Sequence, residues 1–539
     1  MAFEDRIPDT GIPSSLPLLP LLHMSTIRLW SARFSILMLP VLGLACSPGL
    51  PPPPPNILVI SLDDMNDWIG AMGGHPQAMT PNLDSFSESA VTFRRAYTVS
   101  PSCNPSRTAM FTGKAPWETG LYHNGQTWRH VVGDEQTMPE YFREAGYWVA
   151  GAGKIYHGNM PDFKGWDDYY PSLVNHMPEH WLPVLDEETG EKRFALTDNE
   201  IREDDPTGVE MTMTAFPGMY VAFDFAPLPV STEETGDYSS VNWISEQFER
   251  DHEKPFFLAA GIYRPHLPWY VPQEFFDKYP IEDIQLPALL ENDLDDVPAQ
   301  GQQIARNRYH EQVTGQGLWK EAVQGYLASI NYADELVGKL LADLDASPYA
   351  DNTIVVIFSD HGWQLGEKEH WRKFSLWEDV LNTVLMVRVP EGVAGLPAGN
   401  YAGGVSDRNV SLMDVFPMLT ELTGIVPKPG VSGRSIVPLL ENPEAEWDHP
   451  VVSIFGEEHY SVVDGDWHYI LYGEGGEELY NLADDPHEWN NLASDPVHAD
   501  RMTTMAASIP TEQASAMKTE RFRWADVLSG EYDLYNPEE

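Results

Sequence analysis

Asn56-Ile57-Leu58-Val59-Ile60-Ser61-Leu62-Asp63-Asp64 is an apolar run, broken only by Ser61, that ends in two adjacent carboxylates. An apolar run without alternation is what a parallel strand covered on both faces requires. Acids at the carboxyl end of such a strand face the crevice where open α/β sheets take their ligands. Tyr147 to Gly153, Pro255 to Gly261 and Thr353 to Ser359 repeat the theme, with helical patterns at Met138 to Ala145 and Trp319 to Leu344. The alternation predicts an α/β fold, a large mostly parallel sheet flanked by helices. From Val451 onward the runs shorten and alternate, as in Trp467 to Tyr472 and Glu478 to Asn481. They predict a smaller C-terminal subdomain built on a short antiparallel sheet.

The expected organisation is a leader over 1–55, a catalytic domain over 56–445 and a C-terminal subdomain over 446–539. From Met24 the chain has a basic start, an apolar run from Phe34 to Ala45 and then Cys46-Ser47-Pro48-Gly49. That is an export signal, too short to span a bilayer, with Met24 as the true start and 1–23 as an extension. Leu44-Ala45-Cys46 resembles a bacterial lipobox, with Gly43 where that pattern prefers Leu. Lipidation of Cys46 and ordinary cleavage nearby both stay open. Pro51 to Pro55 is then a stiff spacer. The expected address is the periplasm or the outer membrane, as a lipoprotein. Pro171 to about Glu234, acidic and rich in turn residues, reads as an insertion over one face.

The 539 residues include 33 Lys and Arg against 82 Asp and Glu, a net charge of −49. Such a chain repels nucleic acid backbones and anionic lipid. Hydrophobic residues make up 42 %, enough for a sizeable core, so the acidity belongs to a folded protein. Two cysteines, Cys46 and Cys103, exclude a disulfide framework.

Cys103 lies in Ser102-Cys103-Asn104-Pro105-Ser106-Arg107, a loop turning into a helix, with Pro105 suited to the first helical position. A thiol there meets oriented N–H groups and a nearby Arg, which makes it a candidate reactive site. Asp63 and Asp64 at one strand end, with Asp360-His361 at another, bring three carboxylates to one crevice. They repel one another unless a cation sits among them, and hard oxygen donors suit Ca²⁺ or Mg²⁺. Because consecutive strand residues point to opposite faces, both Asp63 and Asp64 reach one cation only if the strand has already ended.

The Cys103 segment resembles the maturation signature of the type I sulfatases, of the alkaline phosphatase superfamily. The likeness runs from Asn56 to about Leu492. The iduronate-2-sulfatase-like branch is the nearest match, through Thr137 to Tyr147, Gly153-Lys154-Ile155-Tyr156-His157-Gly158, Tyr263-Arg264-Pro265-His266-Leu267-Pro268 and Ser359 to Glu367. The resemblance implies the alkaline phosphatase-like fold. It also implies hydrolysis of a sulfuric ester on a sulfated carbohydrate, with the 2-O-sulfate of a uronic acid as the specific expectation. Cys103 would be converted to formylglycine by a formylglycine-generating enzyme. One Ca²⁺ would be held by Asp63, Asp64, Asp360, His361 and the modified Cys103. Arg107, Lys154 and Lys373 would hold the sulfuryl oxygens, His266 or Lys373 would protonate the departing sugar oxygen, and His157 would take a proton from the nucleophile's second hydroxyl. Arg264 and Arg372 are expected to attract the anionic substrate. Trp128, Trp269, Trp363 and Trp371 are read as packing ahead of sugar stacking. His468 stands where many relatives carry Lys or Arg. Two other readings are a phosphatase or phosphodiesterase of the same superfamily, normally with a Ser or Thr nucleophile and two zinc ions, and a non-catalytic glycan-binding lipoprotein.

Overall fold

The computed structural model describes residues 54–157, 162, 164–171, 184–185, 192–193 and 223–518, which belong to one compact unit. Cys46, the signal segment, most of the Pro171 insertion and residues 519–539 lie outside the described residues.

The central sheet has eight strands: β1 (Asn56–Leu62), β2 (Val91–Phe93), β3 (Trp148–Gly153), β4 (Asp168–Tyr170), β5 (Phe256–Gly261), β6 (Thr353–Ser359), β7 (Leu385–Arg388) and β8 (Gly404–Ser406). Their order is β8-β2-β7-β6-β1-β5-β3-β4. β1 pairs in parallel with both β6 and β5, and β3 in parallel with β5 and β4, while β7 runs antiparallel to β6 and β2. Every residue of β1, β5 and β6 is buried, as apolar runs without alternation anticipate. The period of two then divides each strand between two cores. Leu58, Ile60 and Leu62 of β1 join one apolar cluster and Ile57 and Val59 the other.

The first cluster is closed by the helices α3 (Gly236–Gln247) and α4 (Trp319–Asp345), the second by α1 (Cys103–Thr112), α2 (Met138–Glu144) and α5 (Val415–Thr423). α2 starts where its sequence dictates. Thr137 Oγ1 accepts from Glu140 N, Glu140 Oε2 accepts from Thr137 N at 2.7 Å, and a proline occupies the first turn. The last part of the Pro171 insertion is core. Phe225–Leu228 pairs in parallel with Trp269–Pro272, and Phe223 and Phe225 are buried, because apolar rings there cover the face left by α4.

β9 (Val451–Phe455), β10 (His459–Asp464), β11 (Trp467–Leu471) and β12 (Glu477–Asn481) form an antiparallel four-stranded sheet. Val451, Val463, Ile470 and Tyr480 from it share one apolar cluster with Tyr97, Leu376, Trp377 and Leu381. The C-terminal sheet therefore has no separate core of its own on that face.

An acid-rich chain that folds compactly must bury some carboxyls. Burial pushes Asp334 and Asp414 up to about 6, and Asp237 and Glu378 up to about 7. A carboxyl raised on folding contributes stability below its unfolded value near 4 and loses it as pH rises through the folded value. Asp63, held low, acts in the opposite sense, but its contribution is constant above about pH 5. The melting temperature is expected to fall from pH 5 to pH 8 by on the order of 5 °C, and a pH series of thermal melts measures it.

Candidate active site

The strand ends as the two-carboxylate requirement demands. β1 stops at Leu62, and Asp64 turns into the left-handed region with φ 65°. The turn is braced from α4: Tyr326 Oη donates to Asp64 O at 2.7 Å and accepts from Asn66 N at 3.0 Å. Leu62 is in register with Ser359, so Asp360 and His361 emerge beside Asp63 and Asp64. At the ends of β3 and β5, Gly153 and Gly261 are required. A Cβ on Gly153 would collide with the carbonyl of Gly261, and one on Gly261 with the backbone of Lys154. That close approach lets Lys154 N donate to Gly261 O at 3.0 Å and delivers Lys154 and the 263–268 turn to the same crevice.

Cys103 is the first residue of α1, with Ser102 as N-cap, so Pro105 sits at the third helical position and not at the first as expected. The first turn of the helix is fixed by amides: Asn124 Oδ1 accepts from Asn104 N at 2.9 Å, and Asn104 Nδ2 donates to Gln126 O at 2.8 Å. Ser106 Oγ donates to Asp360 O at 2.7 Å and ties the helix to the end of β6.

Around Cys103 Sγ, Lys373 Nζ stands at 2.9 Å, His361 Nε2 at 3.4 Å and Asp63 Oδ1 at 3.6 Å. Lys373 Nζ also bonds Asp64 Oδ1 at 2.9 Å, Lys154 Nζ is in contact with Asp63 Oδ2, and His266 Nε2 lies 3.7 Å from Asp64 Oδ2. All of these residues are buried. Burial alone would raise the Asp63 carboxyl, but the Lys154 ammonium and the Arg107 guanidinium hold it well below the usual carboxylate range. Burial pushes the Cys103 thiol up, against the pull of Lys373. An unmodified Cys103 is thus a protonated thiol at neutral pH and a poor nucleophile.

One ligand atom each from Asp63, Asp64, Cys103 and His361 lies within 4.8 Å of the others. Asp64 Oδ2 is buried without a hydrogen-bond donor among the described residues. His361 Nδ1 faces Gly362 O at 3.0 Å, which makes Nδ1 the protonated nitrogen and leaves Nε2 a lone pair toward the cluster. Burial lowers the His361 pKa and favours that neutral form. Two carboxylates, a neutral imidazole and a buried orphan oxygen suit a divalent cation.

Not every expected residue faces the cluster. Asp360 Oδ1 accepts from Asp64 N at 3.2 Å and His361 N at 3.1 Å, and its Oδ2 accepts from Arg107 Nε at 2.8 Å. Its carboxylate braces the turn, and its Oδ2 also lies 3.6 Å from His361 Nε2, at the edge of the cluster. Arg107, expected on the sulfuryl oxygens, instead spends its guanidinium inside the protein. Besides Asp360 it donates to Ser61 Oγ, Lys154 O, Ile155 O and Leu62 O at 2.8–3.1 Å, with Asp63 Oδ1 at 3.7 Å. A fixed fork is the side chain that can bind several strand ends at once. Arg264, expected to attract substrate, is buried and donates to Tyr270 O and His266 O. Arg372 is half-buried, with Nη1 donating to Tyr309 Oη at 2.8 Å. His157 is half-buried on the bend after Lys154, next to residues outside those described, and is not one of the four converging ligands. Trp128, Trp269, Trp363 and Trp371 are all core residues.

Sequence reasoning passed over Ser61, Ser106, Asn104 and Tyr326. The only signal for them was a polar residue inside an otherwise apolar or helical run. A cavity of about 1310 Å³ elsewhere, lined by Asp67, Glu367, Asp379 and Trp447 among others, includes none of the cluster residues. The ligand atoms converge at the cluster and not in that cavity.

The profile of the Sulfatase family matches residues 55–425, and that of the N-sulphoglucosamine sulphohydrolase C-terminal family matches residues 366–515. A sulfatase of Formosa agariphila is 34 % identical over 475 residues, spanning 86 % of this chain and 87 % of that protein. Iduronate 2-sulfatase of Mus musculus is 28 % identical over 405 residues, 69 % of each chain. Among solved structures, a phosphonate monoester hydrolase of Agrobacterium radiobacter superposes with a TM-score of 0.66 at 22 % identity, covering 84 % of this chain and 94 % of that one. That likeness is one of fold.

Proposed function

The chain belongs to the sulfatase family and hydrolyses sulfate esters, and from that premise we propose that its substrate is a sulfated carbohydrate, with the 2-O-sulfate of a uronic acid as the specific target. The observation that carries the reading is Cys103 Sγ at the first turn of α1, with Lys373, His361 and Asp63 within 3.6 Å. Support for the sugar comes from the distant likeness to iduronate 2-sulfatase, whose name states its substrate.

A sulfate ester is anionic and repels nucleophiles, so the site must gather positive charge around the sulfuryl group. Lys154 and Lys373 are the ammonium groups placed to do so, each against one carboxylate of the Asp63-Asp64 pair. His266 Nδ1 faces Leu267 O at 2.6 Å and directs Nε2 toward Asp64, so that Nε2 of the doubly protonated ring would be the atom that protonates the departing oxygen. His157 would accept a proton from the nucleophile. Asp63, Asp64, His361 and Cys103, with Asp360 behind them, are the residues that would hold Ca²⁺, which supplies Lewis acidity toward a sulfuryl oxygen. Conversion of Cys103 to formylglycine by a formylglycine-generating enzyme supplies a hydrated aldehyde, which a protonated thiol cannot replace. Export to the periplasm or outer membrane, with Cys46 as a lipid attachment point, completes the reading.

The test is turnover of defined sulfated mono- and oligosaccharides by protein whose aldehyde content is established by mass spectrometry. Release of the 2-O-sulfate from a terminal uronic acid is expected. Chelation is expected to lower the rate at least about tenfold, with Ca²⁺ restoring it better than Mg²⁺. Aldehyde-bearing protein that cleaves none of the panel's esters sinks the carbohydrate assignment. Equal turnover of aryl phosphate favours a phosphatase.

A further inference from the structure

Seven residues other than glycine have φ in the left-handed region among the described residues: Asp64, Asn292, Lys368, Glu369, Arg372, Phe374 and Glu488. Such a conformation costs energy in any residue with a Cβ and persists only where the surroundings enforce it. Asp64 belongs to the cluster. Four of the others lie in the segment 366–374, which carries Lys373. The remaining two flank or form the groups that grip that segment, so the strain is concentrated around one lysine.

The segment is a tight loop closed at its base by the pairing of Gln364 with Arg372 and Leu365 with Trp371. At its tip Lys368 is turned inward and buried. Its Nζ donates to Asp293 Oδ1 at 2.8 Å, beside the left-handed Asn292, and to Glu488 O at 2.5 Å. Glu488, itself left-handed, is a junction. Oε1 meets His468 Nδ1 at 2.5 Å, and Oε2 accepts from Glu378 N at 2.8 Å, a few residues beyond the loop. His468 sits within β11, and its Nε2 meets Ser461 Oγ of β10 at 2.6 Å. Within the loop His370 Nε2 meets Lys373 O at 2.9 Å, while Asn307 Nδ2 lies 3.1 Å from its Nδ1. The C-terminal sheet is thus wired through His468, Glu488 and Lys368 to the backbone that aims Lys373 at Cys103 and Asp64. The C-terminal family profile begins at residue 366, so loop and sheet lie inside one matched unit.

We propose that Lys368, Glu488 and His468 are positioning residues, which hold the strained 366–374 loop so that the Lys373 ammonium stays against the reacting centre. The proposal rests on the reading of Lys373 as a sulfuryl-binding cation. Among the described residues, the hydrogen-bond partners of His468 are Ser461 and Glu488, neither of them in the cluster, and its ring is buried between the two. Lys368→Met keeps the length of the side chain and removes the two bonds at the tip. The loop then relaxes toward ordinary φ, and a displacement of about 1 Å at Lys373 is enough to cost roughly 10- to 100-fold in rate.

The experiment is a double-mutant cycle on 4-nitrophenyl sulfate, joined to amide hydrogen exchange. Lys368→Met is expected to lower kcat about 10- to 100-fold with KM changed less than about threefold. In a Lys373→Ala background it should lower kcat no further, because its effect runs through Lys373. Exchange should quicken in 366–374 while β1 and β6 stay protected. Lys368→Arg should recover part of the rate. Equal losses in both backgrounds, or wild-type exchange in 366–374, overturn the proposal. Should Lys368→Met not fold, Glu488→Gln, which keeps the backbone carbonyl bonded by Lys368, is read the same way with a smaller loss. If the wild type turns over no ester, the reading of Lys373 fails by itself, while the exchange comparison still decides the clamp.

Discussion

Cys103→Ala loses at least about 10⁴-fold in sulfate release from any ester the enzyme accepts, with its fold intact. The size follows from the surroundings of Sγ. Lys373, His361 and Asp63 all point at this one atom, and a buried thiol raised in pKa has no nucleophilic role of its own. On the proposed reading the side chain serves as the precursor of formylglycine. Alanine removes that precursor and leaves the lysines, the histidine and the carboxylates in place. The structural cost is small, since one sulfur is exchanged for a methyl hydrogen at a helix start. Thermal melting should therefore move by no more than about 2 °C while the rate collapses. Sulfate release by ion chromatography and a melting curve on the same sample measure both. A residual rate within tenfold of wild type would mean that water attacks the ester directly.

Arg107→Lys should be nearly as damaging as Arg107→Met, and both should show in stability as well as rate. Were Arg107 a substrate clamp, lysine would keep the charge and much of the affinity. The structure gives the guanidinium a different task. It binds Asp360, Ser61 and the carbonyls of Leu62, Lys154 and Ile155, so one side chain joins the ends of β1, β3 and β6. A point charge with a tetrahedral head cannot span those acceptors. Removing one partner from a buried ion pair costs about 3–5 kcal/mol, and the stranded carbonyls add to it. A loss of unfolding free energy of that size is expected for the methionine variant and at least half of it for lysine, read from denaturant unfolding curves. An Arg107→Lys enzyme with wild-type stability and a changed KM would return Arg107 to the substrate.

Much of this arrangement was legible in the chain. The apolar runs at 56–62, 256–261 and 353–359 predict buried parallel strands, and all three form with every residue buried. The expectation that Asp63 and Asp64 meet only if the strand ends first is met by the break at Leu62 and the φ of Asp64. What was not legible is the division of labour among the charged residues. Arg107 and Arg264 carry the residue type of an anion binder, yet Arg264 is spent on backbone carbonyls and Arg107 on Asp360, Ser61 and three carbonyls. Residue type states what a side chain can bond, and only the fold states which acceptors lie within reach. His468 makes the same point, since in sequence it was an oddity and in the structure it is the far end of a buried chain leading to the loop of Lys373.

Local sequence by itself determined the layered α/β architecture, the strand ends that deliver acids and the placement of Cys103 at a helix start. These depend on periodicity, chain-stiffening residues and short motifs that act over a few neighbours. Tertiary structure alone decided which cations face the reacting centre and which brace it. It also decided that a lysine at 373 is aimed by a glutamate at 488. Those outcomes depend on distances between segments hundreds of residues apart, which are set when two apolar cores close on the sheet.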